Sequence, residues 1–161
     1  MISDTHGLLR PEALERLRGV EHILHAGDIG APGIVEALGA LAPVTAIRGN
    51  VDRGDRTAAY PETRTVTLGG LAVHMVHSVL DLDPEVLAQG IDVVISGHSH
   101  RPSVESRGGV LFLNPGSAGP RRFRLPVTLA ILTVDEGRAS AEVLDLLPLA
   151  PPSTSGTRPR R

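Results

Sequence analysis

Residues 22–50 read HILHAGDIGAPGIVEALGALAPVTAIRGN, and this stretch decides the fold. His22 to His25 is a short apolar run that stops at Gly27-Asp28, the pattern of a buried strand entering a turn. Pro32 to Leu41 reads as a helix opened by proline, and Val44 to Ile47 reads as a further strand ending in Gly49-Asn50. Toward the N-terminus, Pro11 to Arg18 has Pro at a helix start with Leu14 and Leu17 at helical spacing, and Met1 to Ser3 is the visible stub of a strand. Strand, helix, strand, helix, strand implies parallel pairing with right-handed crossovers.

Downstream the pattern changes. Thr63 to Leu68 and Leu71 to Val76 flank Gly69-Gly70, a two-residue loop suited to a type I′ hairpin turn. A short helix, Pro84 to Gln89, precedes the continuous apolar strand Asp92 to Ser96. Ser103 to Arg107 and Val110 to Asn114 are again joined by Gly-Gly, and Thr128 to Val134 and Ala139 to Asp145 flank Asp135-Glu136-Gly137-Arg138. Parallel strands first and hairpins later predict an α/β fold with two mixed sheets packed face to face and helices outside. A domain over residues 1–147 is expected, followed by a disordered Pro- and Arg-rich tail over 148–161 whose composition cannot form a packed core.

Composition removes several classes of function. The 161 residues suit one domain with a core of its own. All 16 basic residues are Arg, so Schiff-base lysines and the lysine of a P-loop are excluded. With no cysteine there are no disulfides, thiolate metal sites or cysteine nucleophiles. The aromatics are Phe112, Phe123 and Tyr60, too few to build stacking platforms, so single-stranded nucleic acid is not an expected partner. No apolar stretch is long enough to span a membrane and no secretory leader opens the chain, which makes the cytoplasm the default location.

The polar residues at the strand ends carry the chemistry. The first strand runs into Asp4-Thr5-His6-Gly7, the second into Gly27-Asp28 and the third into Gly49-Asn50-Val51-Asp52. The hairpin strand ends at His77, and the apolar strand at Gly97-His98-Ser99-His100. Taken alone, each reads first as a turn, a helix cap or an exposed histidine, except Gly97-His98-Ser99-His100, which reads equally well as a ligand pair. Together they converge, because ligands in open α/β sheets gather beyond the carboxyl ends of the strands. Asp4, His6, Asp28, Asn50, His77, His98 and His100 offer imidazole, carboxylate and amide donors without sulfur, a set that suits manganese, iron, cobalt, nickel or zinc. So many donors exceed what one open-coordinate ion takes and suit two ions sharing a carboxylate. Such a pair, roughly 3.5–4 Å apart, clamps the attacking and leaving oxygens of a phosphoryl displacement and acidifies a bridging water to hydroxide.

The segments Ser3-Asp4-Thr5-His6-Gly7, His25-Ala26-Gly27-Asp28, Gly49-Asn50-Val51-Asp52, Gly97-His98-Ser99-His100 and Asn114-Pro115-Gly116-Ser117 resemble the calcineurin-like metallophosphoesterase superfamily, in particular its small YfcE-type phosphodiesterases, over about Met1 to Leu146. The resemblance implies a four-layer α-β-β-α sandwich. It also implies the ligand assignment: Asp4, His6, Asp28 and His100 on one ion, and Asp28, Asn50, His77 and His98 on the other, with Asp28 as the bridge. Asp28, Asn50 and His98 are the expected catalytic group, manganese the expected metal, and a small phosphate ester, with cyclic nucleotides among the candidates, the expected substrate. Family members often form dimers or larger assemblies, which leaves a homo-oligomer open.

This sequence departs from the family pattern at three places. Val51 stands where larger members carry the histidine thought to protonate the leaving group. His77 is followed by Ser78-Val79 instead of Gly-His, and only three residues precede Asp4 where the opening strand is normally longer. Among other residues, His25 reads equally as a support of the site or a core histidine, His74 as exposed, and His22 as a loop residue. Asp52 reads as a residue that positions Asn50 or as a cap. Arg53, Arg101 and Arg121 neighbour the motif loops, and Arg121-Arg122-Phe123-Arg124 is locally basic, with solvated surface the favoured reading for all of them. Two other functions stand beside this one: a monoesterase or phosphoprotein phosphatase using the same metals, and a non-catalytic interaction scaffold of the same fold. Broken ligands would favour the scaffold, and none is broken here.

Overall fold

A computed structural model describes residues 1–54 and 57–148, and the bulk of the predicted tail, 149–161, lies outside the described residues. Its elements run α1 (Pro11–Arg16), β1 (Ile23–His25), α2 (Pro32–Gly39), β2 (Val44–Ala46), β3 (Thr63–Leu68), β4 (Leu71–Val76), a 3-10 turn (Val79–Asp81), α3 (Pro84–Leu87), β5 (Val93–Ile95), β6 (Ser103–Arg107), β7 (Val110–Asn114), β8 (Thr128–Asp135) and β9 (Arg138–Asp145). The Gly69-Gly70 turn has φ of 55° and 85°, both left-handed, as a type I′ hairpin requires. Helices and buried strands are a residue or two shorter than the periodicity predicts, because pattern marks which residues are apolar and not where the hydrogen-bond ladder closes.

The strands form two mixed sheets. In the first, β1 and β2 pair in parallel, and Ile2 bridges to His25 in the same sense. Met1 exchanges both backbone hydrogen bonds with Ala130, so residues 1–3 sit between β1 and β8. The sheet order is therefore β2, β1, residues 1–3, β8, β9. The second sheet runs β3-β4-β5-β7-β6, with β4, β5 and β7 mutually parallel and antiparallel strands at both edges.

Three apolar clusters separate four layers. Ala13 of α1, Leu17 at its C-terminal cap, and Ile34 and Leu38 of α2 cover one face of the first sheet at Ile2, Ile23 and Leu129. Its other face meets the second sheet through Met1, Leu24, Ala26, Ile47 and Ala130 against Val73, Met75, Val93, Ile95 and Leu113. On the far face, Val76 and Val94 pack beneath Leu82, Val86 and Leu87. Fully burying a side chain such as Leu24 or Ile95 contributes roughly 1.5–3 kcal/mol, so the dry seam between the sheets fixes their relative position. The predicted α-β-β-α sandwich is the observed architecture. His74 is the correction: it is buried, not exposed. Strand alternation places it opposite Val73 and Met75, but that outer face is roofed by the layer around α3, and Thr65 Oγ1 satisfies its Nδ1 at 2.8 Å.

Candidate metal centre

Every parallel strand delivers its carboxyl end to one edge of the seam, and the loops there carry the predicted donors. The first sheet supplies Asp4 and His6 after residues 1–3, Asp28 after β1 and Asn50 after β2. The second supplies His77 after β4 and His98 and His100 after β5. Asp4, His6, Asp28, His98 and His100 all adopt left-handed backbone conformations, with φ between 46° and 67°. Few non-glycine residues do so, and the conformation costs of order 1–3 kcal/mol each, so it persists only where the surroundings enforce it.

The carboxylates are oriented by hydrogen bonds to one oxygen each. Asp4 Oδ2 accepts from Ser3 Oγ at 2.6 Å and from the His98 N–H at 3.1 Å. Its Oδ1 faces His100 Nε2 at 3.2 Å and His6 Nε2 at 3.8 Å. Asp28 Oδ1 accepts from the Val51 N–H at 3.0 Å, while Oδ2 faces His77 Nε2 at 3.3 Å and His6 Nε2 at 3.8 Å. Two compact donor clusters result, Asp4–His6–His100 and Asp4–Asp28–His77. Asp4 belongs to both, and Asp28 touches a histidine of each.

His98 stands outside these clusters, exposed, with its ring edge-on to that of His77 at 5.3 Å between centroids. Asn50 is exposed beside His77 in the wall of a cavity of about 330 Å³. The structure thus brings five of the seven candidates into contact and sets the other two on the open side.

Buried electrostatics favour a cation. Burial works against charge on Asp28, but the His77 imidazole and the Val51 N–H hold its carboxyl down to about 2. His77 is also penalised by burial, yet Asp28 and the Ala26 carbonyl raise it. For His6 burial wins, and its pKa is lowered. The Nδ1–H of His77 donates to the Ala26 carbonyl at 2.7 Å, which aims Nε2 into the cluster. Asp4 Oδ1 and His77 Nε2 are buried and have no hydrogen-bond partner among the described residues. Leaving such atoms unpaired costs about 1–3 kcal/mol each, and a divalent cation between them satisfies both. The residues fit the ion the donor chemistry implies.

A supporting shell holds the loops. Asp52 accepts from the Ile29, Gly30 and Gly49 N–H groups at 3.0, 2.9 and 2.8 Å, fastening the Asp28 loop to the Asn50 loop. Asn114 donates to the Gly97 carbonyl and Ser99 Oγ, and Ser117 Oγ donates to the Asp4 carbonyl. Ser78, the departure after His77, caps the following 3-10 turn by accepting from the Leu80 N–H. Ser3 opens the motif segment Ser3-Asp4-Thr5-His6-Gly7, but sequence spacing does not disclose its hydrogen bond to Asp4.

His25 supports the site from beneath. It is fully buried; Nδ1 accepts from the Gly27 N–H at 3.3 Å, and Nε2 lies 2.9 Å from Thr5 Oγ1, which in turn donates to the Ile29 carbonyl. Burial pushes its pKa down to about 4. The unfolded chain therefore binds this proton first, and stability drops as pH falls from about 6.5 to about 4, by about 3 kcal/mol in all. Urea titrations in the presence of a chelator should show the wild-type advantage over His25→Gln shrinking across that window. Parallel pH dependences would assign the titration elsewhere.

The chain belongs to the calcineurin-like phosphoesterase superfamily, whose domain model matches residues 1–137. Among its relatives, a probable metallophosphoesterase of Methanothermobacter thermautotrophicus is 36% identical, the alignment spanning 89% of this chain and 90% of the relative. A novel archaeal phosphodiesterase of known structure superimposes with a TM-score of 0.71 at 26% identity, over 89% of this chain and 97% of that one. The Zn²⁺ complex of Vps29 from Entamoeba histolytica shares the fold, with a TM-score of 0.67 at 24% identity, over 91% and 97% of the two chains.

Proposed function

We propose that the protein is a binuclear metal-dependent phosphodiesterase acting on small phosphodiesters. The observation that carries this reading is the pair of clusters sharing Asp4, with Asp28 between their histidines and unpaired buried donors facing inward. Asp4, His6, Asp28 and His100 would hold one ion, and Asp28, Asn50, His77 and His98 the other. Manganese suits this oxygen- and imidazole-rich set best, with zinc, iron, cobalt and nickel compatible. Bound there, two divalent cations supply Lewis acidity and a nucleophile at neutral pH.

The chain's own groups position and exclude. The Val51 N–H and the His77 imidazole keep Asp28 anionic, the Ala26 carbonyl fixes the His77 tautomer, and the cavity beside Asn50 and His77 admits a small ester. No imidazole stands at position 51: Val51 is half exposed, and Arg53 is committed by its Nε to the Asn50 carbonyl at 3.1 Å. Esters with acidic leaving groups are therefore the expected substrates. The cytoplasm is the proposed location; no helix among the described residues is long and apolar enough to cross a membrane.

Manganese-loaded protein should bind two ions per chain by elemental analysis and cleave bis(4-nitrophenyl) phosphate faster than 4-nitrophenyl phosphate. Its rate should fall steeply as the leaving phenol becomes more basic. Preference for the monoester would convert the reading to a phosphomonoesterase. Failure to bind manganese or zinc, together with a stable protein complex, would favour the scaffold.

A further inference from the structure

Resting on the phosphodiesterase reading, we propose that Arg122 is a substrate-binding residue whose guanidinium clamps a non-bridging phosphate oxygen on the His6 side of the site.

Arg122 Nη2 lies 3.5 Å from His6 Nε2, the nitrogen that also faces Asp4 Oδ1, Asp28 Oδ2 and, at 3.3 Å, His100 Nε2. A guanidinium has donors only, so its approach requires the lone pair of that imidazole. A cation bound by the cluster requires the same lone pair. The two cannot share it, and loading the site leaves the Arg122 N–H groups without this acceptor. A guanidinium held beside divalent cations is also repelled unless an anion lies between them. A phosphate ester is that anion: its non-bridging oxygens accept paired N–H donors in the planar geometry arginine presents.

The backbone holds Arg122 at this place. Its loop leaves β-bridged Ser117, whose hydroxyl is bonded to the Asp4 carbonyl, and the Ala118 N–H donates to the Ser3 carbonyl at 3.1 Å. Arg10 Nε donates to the Gly119 carbonyl at 3.1 Å, and Arg121 Nη2 to the Pro148 carbonyl at 2.6 Å. The Leu125 N–H closes a turn on the Arg122 carbonyl at 3.1 Å, with Phe123 left-handed at its tip. Arg121 is thus spent on structure, and its neighbour reaches the site with its side chain exposed.

Titration calorimetry with inorganic phosphate on the manganese-loaded protein reads this role without turnover. Arg122→Ala should bind phosphate about 10–100-fold more weakly, the loss expected for a charged hydrogen bond, while two manganese ions per chain are retained. KM for bis(4-nitrophenyl) phosphate should rise by a similar factor with kcat little changed, and Arg122→Lys should recover part of the affinity. Phosphate affinity within about twofold of wild type, in an otherwise active enzyme, would overturn the role of Arg122 alone. Loss of manganese from Arg122→Ala would reassign the residue to the architecture of the site and equally overturn it. A wild-type protein that binds neither manganese nor phosphate would sink this role and the enzyme reading together.

Discussion

Asp28→Asn is expected to lower manganese-dependent cleavage of bis(4-nitrophenyl) phosphate by about 10³-fold or more while leaving the fold intact. Asparagine is isosteric with aspartate, so an oxygen still accepts from the Val51 N–H. The other position becomes an NH₂ group aimed at His77 Nε2 and His6 Nε2, where the wild type presents a carboxylate oxygen. One substitution therefore removes a charge between the two clusters and puts donors where a cation needs an acceptor. A loss of about 4 kcal/mol in transition-state stabilisation corresponds to that rate factor. Since its carboxyl is held at about 2, Asp28 is ionised throughout the working range, and the wild-type pH profile should show no limb from it. Near-native turnover by Asp28→Asn at equal metal occupancy would remove Asp28 from the centre.

The second large effect concerns stability. Gly30 has φ of 82°, and a Cβ there would overlap the Gly7 nitrogen and lie 2.8 Å from the His6 Cα. All its nearest neighbours are backbone, so no rotamer change relieves the collision. Left-handed strain of about 1–2 kcal/mol adds to overpacking of about 1–3 kcal/mol, and Gly30→Ala should lose roughly 2–5 kcal/mol. The push also separates the Asp4–His6 loop from the Asp28 loop, so metal affinity should fall with stability. Gly33 makes the contrast, because a methyl added there, inside α2, would meet no atom within 4 Å. Gly33→Ala should gain about 0.5–1 kcal/mol. Denaturant midpoints of the two variants should move in opposite directions. A Gly30→Ala midpoint equal to wild type would contradict the close approach.

Much of this arrangement is legible in the sequence. The βαβ pattern of residues 22–50 sets parallel strands, parallel strands share a carboxyl edge, and the donors follow those edges. Contact between Asp4 and His100 is thus a topological consequence of sequence order. What the sequence hides depends on covering layers and on loop paths. Alternation assigns His74 to a face but is silent on what roofs it. The basic run 121–124 reads as uniform, whereas backbone anchoring ties Arg121 to the Pro148 carbonyl and sends Arg122 to His6. Asp52 is ambiguous between positioning and capping until the loops meet; it accepts three N–H groups from two of them, a closure that local sequence cannot register.

The left-handed donors bear on how such a protein changes under selection. At Asp4, His6, Asp28, His98 and His100 the reactive side chain and the conformational penalty occupy the same residue, and glycine at any of them would relax the backbone while erasing the donor. A lineage or a laboratory screen rewarding heat tolerance alone would therefore be drawn toward dismantling the centre first, leaving a sturdier sandwich with nothing to hold.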